Sequence, residues 1–326
     1  MITFIDLFCG IGGFRLALED VDAKCLFSAE VNPHACLVYE ENFKENPYYD
    51  VTKIEEKNLP DFDILCAGFP CQAFSRAGKQ KGFDDVRGTL FFDICRIVKE
   101  KQPKVIFLEN VKNLTIHDKG NTFKTILKHL DELNYSISYE VLSAKDFGVP
   151  QHRERIIIVG IRKDLKKTFD FQKIEKQPVS SMKQFLEIST SDKLSIDEYT
   201  IIEKSYQKIQ KKSGLKFVGY RNKKIRSKGV LENTLHLSRV HKQCNRIYDS
   251  KGIHPTISSQ ETSGRYFIYD NNEVRKLSLD ECFKFMGFPN NFKKVGSKSN
   301  LYSRIGNSVC VPMIRAVAKE IINNLK

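Results

Sequence analysis

The sequence holds no tryptophan, no C-x-x-C pair among its nine cysteines, and no apolar stretch approaching the length of a membrane span. Each absence narrows the field. Without paired cysteines, neither a zinc site nor a redox dithiol is signalled, and the cysteines read as free thiols in a reduced setting. No metal is expected. Without a span-length run, no membrane partner is expected. The opening Met1-Ile-Thr-Phe-Ile-Asp6 has no basic region ahead of a long apolar run, so no secretory signal is expected and a cytoplasmic location follows. Acidic residues are scarce too, but only locally. Residues 201–260 hold 14 Lys and Arg against 3 acids, while the rest of the chain is nearly balanced at 39 against 37. Almost all of the net charge of +13 therefore sits in one window, the footprint of a polyanion-binding surface. A solvated lysine-rich face would account for 208–228 equally well, although Tyr206, Phe217, Tyr220 and Tyr248 make disorder a poor explanation of the window. At 326 residues the chain is long enough for one large domain and a smaller one.

What the sequence does contain is organised around Ala67-Gly-Phe-Pro-Cys71-Gln-Ala-Phe-Ser75. Cys71 follows a proline in a short loop leaving the apolar run Asp63-Ile-Leu-Cys-Ala67. A buried strand would fix the base of that loop, Pro70 its backbone angle, and Gly68 its sharp turn. Such placement suits a nucleophile, which must be activated by nearby positive charge or dipoles because a free thiol is mostly protonated at neutral pH. The alternative is a small buried hydrophobe, which most unpaired cysteines are. Partners elsewhere in the chain decide between the two.

Ahead of this loop, 3–8 reads as a short buried strand, Cys9-Gly-Ile-Gly-Gly13 as a tight glycine turn, and 14–19 as the start of a helix. Strand, turn and helix make a backbone cradle for a ligand at the top of a sheet. The spacing is G-x-G-G rather than the G-x-G-x-x-G of nicotinamide enzymes, which weakens a dehydrogenase reading. Glu30 ends the apolar run 25–29, where an acid commonly meets ribose hydroxyls; a surface acid after a core strand is the competing explanation. Residues 33–42 and 89–101 read as helices, and Asp50 with Val51 as a further acid at a strand end. The glycine-punctuated, mixed-charge stretch 75–88 reads as a lid. Glu109 closes the buried strand 103–109, at the sheet edge where chemistry collects. Arg153 and Arg155 stand two apart in an extended segment, so both are expected on one side. Paired arginines there could hold a carbonyl or phosphate, or simply begin a solvated strand.

After about residue 162 the strand–helix alternation stops. Residues 165–275 are polar, lysine-rich and irregular, and read as loops and short strands. Ser278-Leu-Asp-Glu281 is a capping box opening a helix, 302–308 a second glycine turn, and 311–325 an amphipathic final helix. The expected organisation is a catalytic domain over 1–164, a target-binding domain over 165–276, and a segment over 277–326 that returns to the first domain.

One reaction needs these parts together. C5 of cytosine is a poor nucleophile, but adding a thiolate at C6 and protonating N3 yields an enamine-like ring whose C5 attacks a methyl cation equivalent. That requires a nucleophilic cysteine, a carboxylic acid near the ring and an adenosine-containing methyl donor. Cys71, Glu109 and the glycine turn with Glu30 are the candidates.

Five ordered motifs carry a resemblance: Asp6-Leu-Phe-Cys-Gly-Ile-Gly-Gly13, Gly68-Phe-Pro-Cys-Gln72, Glu109-Asn-Val111, Gln151-His-Arg-Glu-Arg155 and Arg304-Ile-Gly-Asn-Ser-Val309. With them the chain resembles the bacterial DNA (cytosine-5) methyltransferases, from residue 3 to the C-terminal helix apart from the recognition region. The resemblance implies an α/β fold, a Rossmann-like S-adenosylmethionine-dependent methyltransferase sheet with a second, smaller irregular target-recognition domain. It implies S-adenosylmethionine as donor, held by Phe8, Gly10, Gly12, Gly13, Glu30, Val31, Asp50, Val51, Pro70, Leu90, Asn307 and Ser308. It implies Cys71 as nucleophile, Glu109 at N3 and the exocyclic amine, Arg155 at O2 and Arg153 nearby. The substrate would be double-stranded DNA with its cytosine flipped out, since C6 cannot be reached inside the stack. Gln72 and Ser75 would close on the DNA, and Gln243, Arg246, Tyr248 and Thr256 would fill the gap and support the flipped nucleotide. A monomer, paired in function with a restriction endonuclease, is expected.

Two departures accompany the likeness. Val31 replaces an aromatic residue over the adenosine, and Ser258-Ser-Gln-Glu-Thr-Ser-Gly-Arg265 replaces a glycine-rich recognition loop. A different target sequence is therefore expected. The rival readings are a tRNA cytosine methyltransferase, which shares the core, and an inactive DNA-binding protein of the same fold.

Overall fold

Short apolar runs rich in Ile, Val and Phe alternate with amphipathic stretches through the first half of the chain, and each becomes the element its period dictates. The computed structural model describes residues 1–70, 90–187, 192–223 and 233–326. In order the elements are β1 (Thr3–Leu7), α1 (Gly13–Glu19), β2 (Lys24–Ala29), α2 (Pro33–Phe43), β3 (Ile64–Gly68) and α3 (Leu90–Lys101). Then come β4 (Val105–Val111), α4 (Asn121–Glu132), β5 (Tyr135–Ser143), β6 (Gln151–His152) and β7 (Glu154–Arg162). The later elements are β8 (Tyr199–Ile201), β9 (Phe217–Arg221), β10 (Arg246–Asp249), β11 (His254–Pro255), β12 (Phe267–Asp270) and β13 (Glu273–Lys276). Helices α5 (Leu279–Lys284), α6 (Lys298–Asn307) and α7 (Val311–Leu325) close the chain.

Two compact units result. The first comprises Met1–Ser143, Glu154–Lys176 and Ser308–Lys326. Its sheet runs β2-β1-β3-β4-β7-β5. The first four strands are parallel, and β7 is antiparallel to both neighbours. Register aligns Leu7 with Ala29 and Ala67, Ala67 with Leu108, and Gly68 with Glu109. The residues that follow Leu7 and Ala29, namely Phe8 and Glu30, therefore leave the sheet at the same edge as Gly68 and Glu109. One face of the sheet, with Ile5, Leu65, Ile106 and Ile158, buries Ile94, Ile97 and Val98 of α3 and Ile126 and Leu130 of α4. Each such fully buried aliphatic side chain contributes about 2 kcal/mol of transfer free energy. Helix α2 starts as its sequence directs: Asn32 Oδ1 accepts from the Ala35 N–H at 3.1 Å, and Pro33 occupies the first turn. Helix α7 packs its apolar stripe of Val311, Ile314, Val317, Ala318 and Ile321 inward, with α1 as a neighbour.

The second unit comprises Ala144–Arg153 and Gln177–Asn307. Its short strands join in a five-stranded sheet, β13-β12-β10-β9-β8, around a small core of Val218, Ile247, Phe267 and Val274. The predicted capping box forms, with Ser278 Oγ accepting from Glu281 N–H and Glu281 accepting from Ser278 N–H. Residues 277–307 group with this unit, and the chain re-enters the first unit at Ser308. The glycine turn expected over 302–308 is instead the end of α6. Gly306 is helical, and a Cβ there would lie 2.4 Å from Ser259 N and 2.5 Å from the Ser258 carbonyl carbon. Close backbone approach, not a turn, explains this glycine.

Candidate functional site

The site in the first unit begins where β1 ends. Phe8 leaves the strand at φ +59°, a conformation uncommon for a bulky residue, and Gly10 and Gly12 follow at +56° and +88°. The three glycines answer different constraints. A Cβ on Gly12 would overlap the Phe43 ring at 2.2 Å, and one on Gly13 would meet Val309 Cγ2 at 2.7 Å and Ser308 Oγ at 2.9 Å. Gly10 has nothing within 4 Å of its missing Cβ, so the turn is open on that side. Glu30 is fixed beside it: Oε2 accepts from the Gly10 N–H at 3.0 Å and Oε1 from the Asn32 N–H at 2.8 Å.

Beneath the turn, Asp6 is fully buried, and that burial pushes its carboxyl well above the usual range. The motif contained Asp6, but only the fold reveals its isolation from water. Asp50 does not sit at a strand end, as expected, but caps the single turn Val51–Lys53. Its Oδ1 accepts from the Thr52 N–H and hydroxyl at 3.0 and 2.7 Å, which holds the carboxyl below its ordinary value. Val51 is buried and Val31 exposed. A bridge pairs Glu30 with Tyr48, and the Tyr49 ring tilts against Phe27 at 5.1 Å. Tyr49 was not singled out in the sequence; the missing aromatic at Val31 was the only available signal. Leu90, partly buried, opens α3, and Ser308 opens the returning segment, while Asn307 is exposed at the end of α6.

Glu109 lies two residues inside β4, because the strand runs on to Val111 rather than ending at 109. Arg155 Nε donates to Glu109 Oε1 at 2.9 Å, with 11% and 10% of the two side chains exposed. Arg155 Nη1 also donates to the Glu154 carbonyl at 2.8 Å. The neighbour Asn110 donates to the Phe69 carbonyl at 2.7 Å, which ties down the approach to the exposed Pro70. Asn110 belonged to a quoted motif, but its part in holding the loop needed the fold. Cys71, Gln72, Ser75 and the expected lid over 75–88 lie outside the described residues.

Arg153 and Arg155, expected on one side, have different partners. The chain breaks from β6 into β7 at that residue, and Arg153 turns into the second unit, where it is 1% exposed. Its Nη1 donates to the Ile257 carbonyl at 3.1 Å and its Nη2 to the Gly306 carbonyl at 3.0 Å.

In the second unit Gln243 Nε2 donates to the Thr256 carbonyl at 3.1 Å, and Thr256 Oγ1 donates to the His152 carbonyl at 2.8 Å. Gln243 is exposed and Thr256 partly buried. Arg246 Nε donates to the His241 carbonyl at 2.9 Å. Tyr248, expected on the DNA, is 3% exposed and packs edge-on to Phe217 and His254. Burial raises its phenol's pKa. Among the described residues no group of three or more His, Cys, Asp or Glu could hold a metal ion, and no helix is long and apolar enough to cross a membrane.

Comparison with known proteins gives a consistent result. A family model described as C-5 cytosine-specific DNA methylase matches residues 2–323. The Type II methyltransferase M.HhaI of Haemophilus parahaemolyticus is 42% identical over 332 residues, covering 99% of this chain and 95% of that protein. M.HpaII of Haemophilus parainfluenzae is 39% identical over 99% of this chain and 90% of its own length. Among solved structures, S. pombe Dnmt2 methyltransferase matches with a TM-score of 0.71 at 17% identity, over 100% of this chain and 99% of its own. That likeness shows the fold: a Rossmann-like methyltransferase sheet.

Proposed function

Since the chain belongs to the C-5 cytosine-specific DNA methylase family, we propose that it methylates C5 of a flipped-out cytosine in a short duplex sequence through a covalent bond between Cys71 and C6. The observation that carries this reading is the Glu109–Arg155 pair at the sheet edge, in register with Gly68, three residues before Cys71. A carboxyl and a guanidinium joined on one edge present complementary groups to a pyrimidine: Glu109 to N3 and the exocyclic amine, Arg155 to O2. Attack of the Cys71 thiolate on C6 pushes an electron pair toward N3, where Glu109 holds the proton. C5, made nucleophilic in this way, would accept the methyl group of a bound donor, which would leave as S-adenosylhomocysteine. The C5 proton then passes to water, N3 returns its proton to Glu109, and the re-formed C5–C6 double bond expels the Cys71 thiolate. Arg153 serves as a positioning residue that ties together the carbonyls of Ile257 and Gly306.

S-adenosylmethionine, when bound, supplies an electrophilic methyl group on a sulfonium. The residues fit such a group: the turn is open at Gly10, Glu30 is fixed beside it, and Asp50 offers an exposed capping carboxylate. Phe8, Gly12, Gly13, Val51, Pro70, Leu90, Asn307 and Ser308 complete the cofactor set. Tyr49, half exposed and tilted against Phe27, offers an aromatic face in the strand-end segment that follows Glu30's bridge partner Tyr48. The second unit reads the duplex with Gln243, Arg246 and Thr256, helped by the loop that carries Gln72 and Ser75. A cytoplasmic monomer that protects DNA from a partner restriction endonuclease is the setting this chemistry suits.

A duplex containing 5-fluorocytosine tests the reading, because fluorine at C5 cannot leave as a proton and the adduct is trapped. With methyl donor present, the adduct is expected to map to Cys71 and to vanish in Cys71→Ala. Attachment at any other residue would overturn it. A tRNA substrate offered in the same assay separates the rival enzyme.

A further inference from the structure

The loop over 258–265 is closed and braced, not loose. Tyr266 Oη accepts from the Ser258 N–H at 3.1 Å and donates to the Ser258 carbonyl at 2.8 Å. Gly264, at φ +64°, presses on Tyr302, where a Cβ would lie 2.4 Å from the ring. Inside the loop Glu261 is buried and accepts from the Ser263 N–H at 3.0 Å. The same carboxylate takes the Arg265 guanidinium, with Nε 3.1 Å from both oxygens and Nη2 2.9 Å from Oε2. This uses one edge of the fork. Nη1 has no partner among the described residues, and 45% of the Arg265 side chain is exposed. A cavity of about 290 Å³ opens beside it, lined by Lys242, Gln243, Arg246, Gln260, Glu261 and Arg265.

An exposed i,i+4 ion pair usually does little. This one differs because its carboxylate is buried, so the guanidinium is held in one plane before any ligand arrives. Three cations share the cavity wall with a single carboxylate that is already engaged, so an acceptor-rich group is favoured there. A fixed guanidinium with a free edge offers parallel donors that match O6 and N7 of guanine in the major groove. Preorganisation by the braced loop lowers the entropy lost on contact.

We propose that Arg265, oriented by Glu261, reads a guanine of the recognition sequence. The inference rests on the chain acting as a duplex-reading methyltransferase. Bisulfite sequencing of a host plasmid after expression defines the wild-type site, and a panel of duplexes with each base pair of that site replaced in turn then gives relative methylation rates. Arg265→Ala is expected to lose about 5- to 150-fold on the wild-type site, the range of one bidentate base contact, and to become indifferent to the base at one guanine position. Arg265→Lys, which keeps the charge but not the fork, is expected to lose the same discrimination. Glu261→Gln is expected to fall between. Binding of S-adenosylhomocysteine, followed by calorimetry, should stay unchanged and so report an intact fold.

Equal loss on every duplex with a salt slope lower by about 1 would make Arg265 a phosphate contact and overturn the proposal. Unchanged discrimination in both arginine variants would also overturn it while leaving the methyltransferase reading intact. Failure of the wild-type protein to methylate any duplex would overturn both.

Discussion

Arg155 Nε lies 2.9 Å from Glu109 Oε1, and about nine-tenths of each side chain is buried. Two charges removed from water in this way are tolerable only together, because either one alone would be buried without compensation. Glu109→Gln keeps shape and a hydrogen-bonding oxygen but cannot carry the proton at N3. Methylation by this variant should fall by about 100-fold or more, the scale of a general acid–base group, with DNA affinity retained in a mobility-shift assay. Glu109→Ala should in addition cost about 3 kcal/mol in urea unfolding, because Arg155 is then left buried and unpaired. Equal loss of binding and turnover in Glu109→Gln would count against its role at the ring.

Gly306 gives a test in which the sign is informative. Helix propensity alone predicts that Gly306→Ala stabilises α6 by about 1 kcal/mol. The Ser258–Ser259 backbone stands 2.4–2.5 Å from the new methyl carbon, and backbone cannot rotate away like a side-chain tip. Overpacking of this kind costs about 1–3 kcal/mol, so the variant should melt at a lower temperature in calorimetry. A raised melting temperature would show that the α6 contact with this loop is loose.

Much of this was legible beforehand, for reasons that differ by residue. The strands through Leu7, Ala29, Ala67 and Leu108 announce themselves as short apolar runs, and the capping box at Ser278 needs only four residues to be recognised. Glu30 and Glu109 come to one sheet edge because parallel topology sends every carboxyl end the same way, although β4 runs two residues past Glu109. What was not legible depends on partners distant in sequence. Arg153 looks like the twin of Arg155, yet its guanidinium answers carbonyls 104 and 153 residues away. Tyr248 looks like an interface aromatic, yet its ring is buried edge-on against Phe217 of β9 and His254 of β11. Gly306 looks like a turn until the loop packed on it is seen.

His254 makes acid sensitivity predictable. Its ring is fully enclosed by Tyr248, Tyr266 and Phe285, Nδ1 is 2.6 Å from the Pro255 carbonyl, and burial pulls its pKa down to about 4. The unfolded chain takes up this proton near pH 6.5, the folded chain only near pH 4. Between those values the unfolded state binds more protons, so stability is fully present above pH 6.5 and is lost as the pH falls toward 4. The loss from this residue amounts to about 3 kcal/mol. In urea melts at pH 7.5 and pH 5, His254→Phe should lose less stability on acidification than the wild type. An identical acid loss in both proteins would assign it to other groups.

The basic window yields the last prediction, because not all of its cations are available to DNA. Lys216 is held by Asp249 at 2.7 Å, and Arg221 by Glu198 at 3.4 Å, so these two charges are already matched within the unit. Lys208, Lys211 and Lys212 are exposed. Each phosphate neutralised by such a lysine releases counterions and adds about 0.9 to the slope of log affinity against log salt. Lys211→Gln with Lys212→Gln should therefore lower that slope by about 2 and weaken every duplex alike. Lys216→Gln should change it little, because its charge is spent on Asp249. Arg265→Ala should do the reverse of the lysine pair, altering which sequence is methylated while leaving the slope in place. A slope unmoved by the double substitution would mean that these lysines only keep the protein soluble, and phosphate binding would then have to come from other cations of the window.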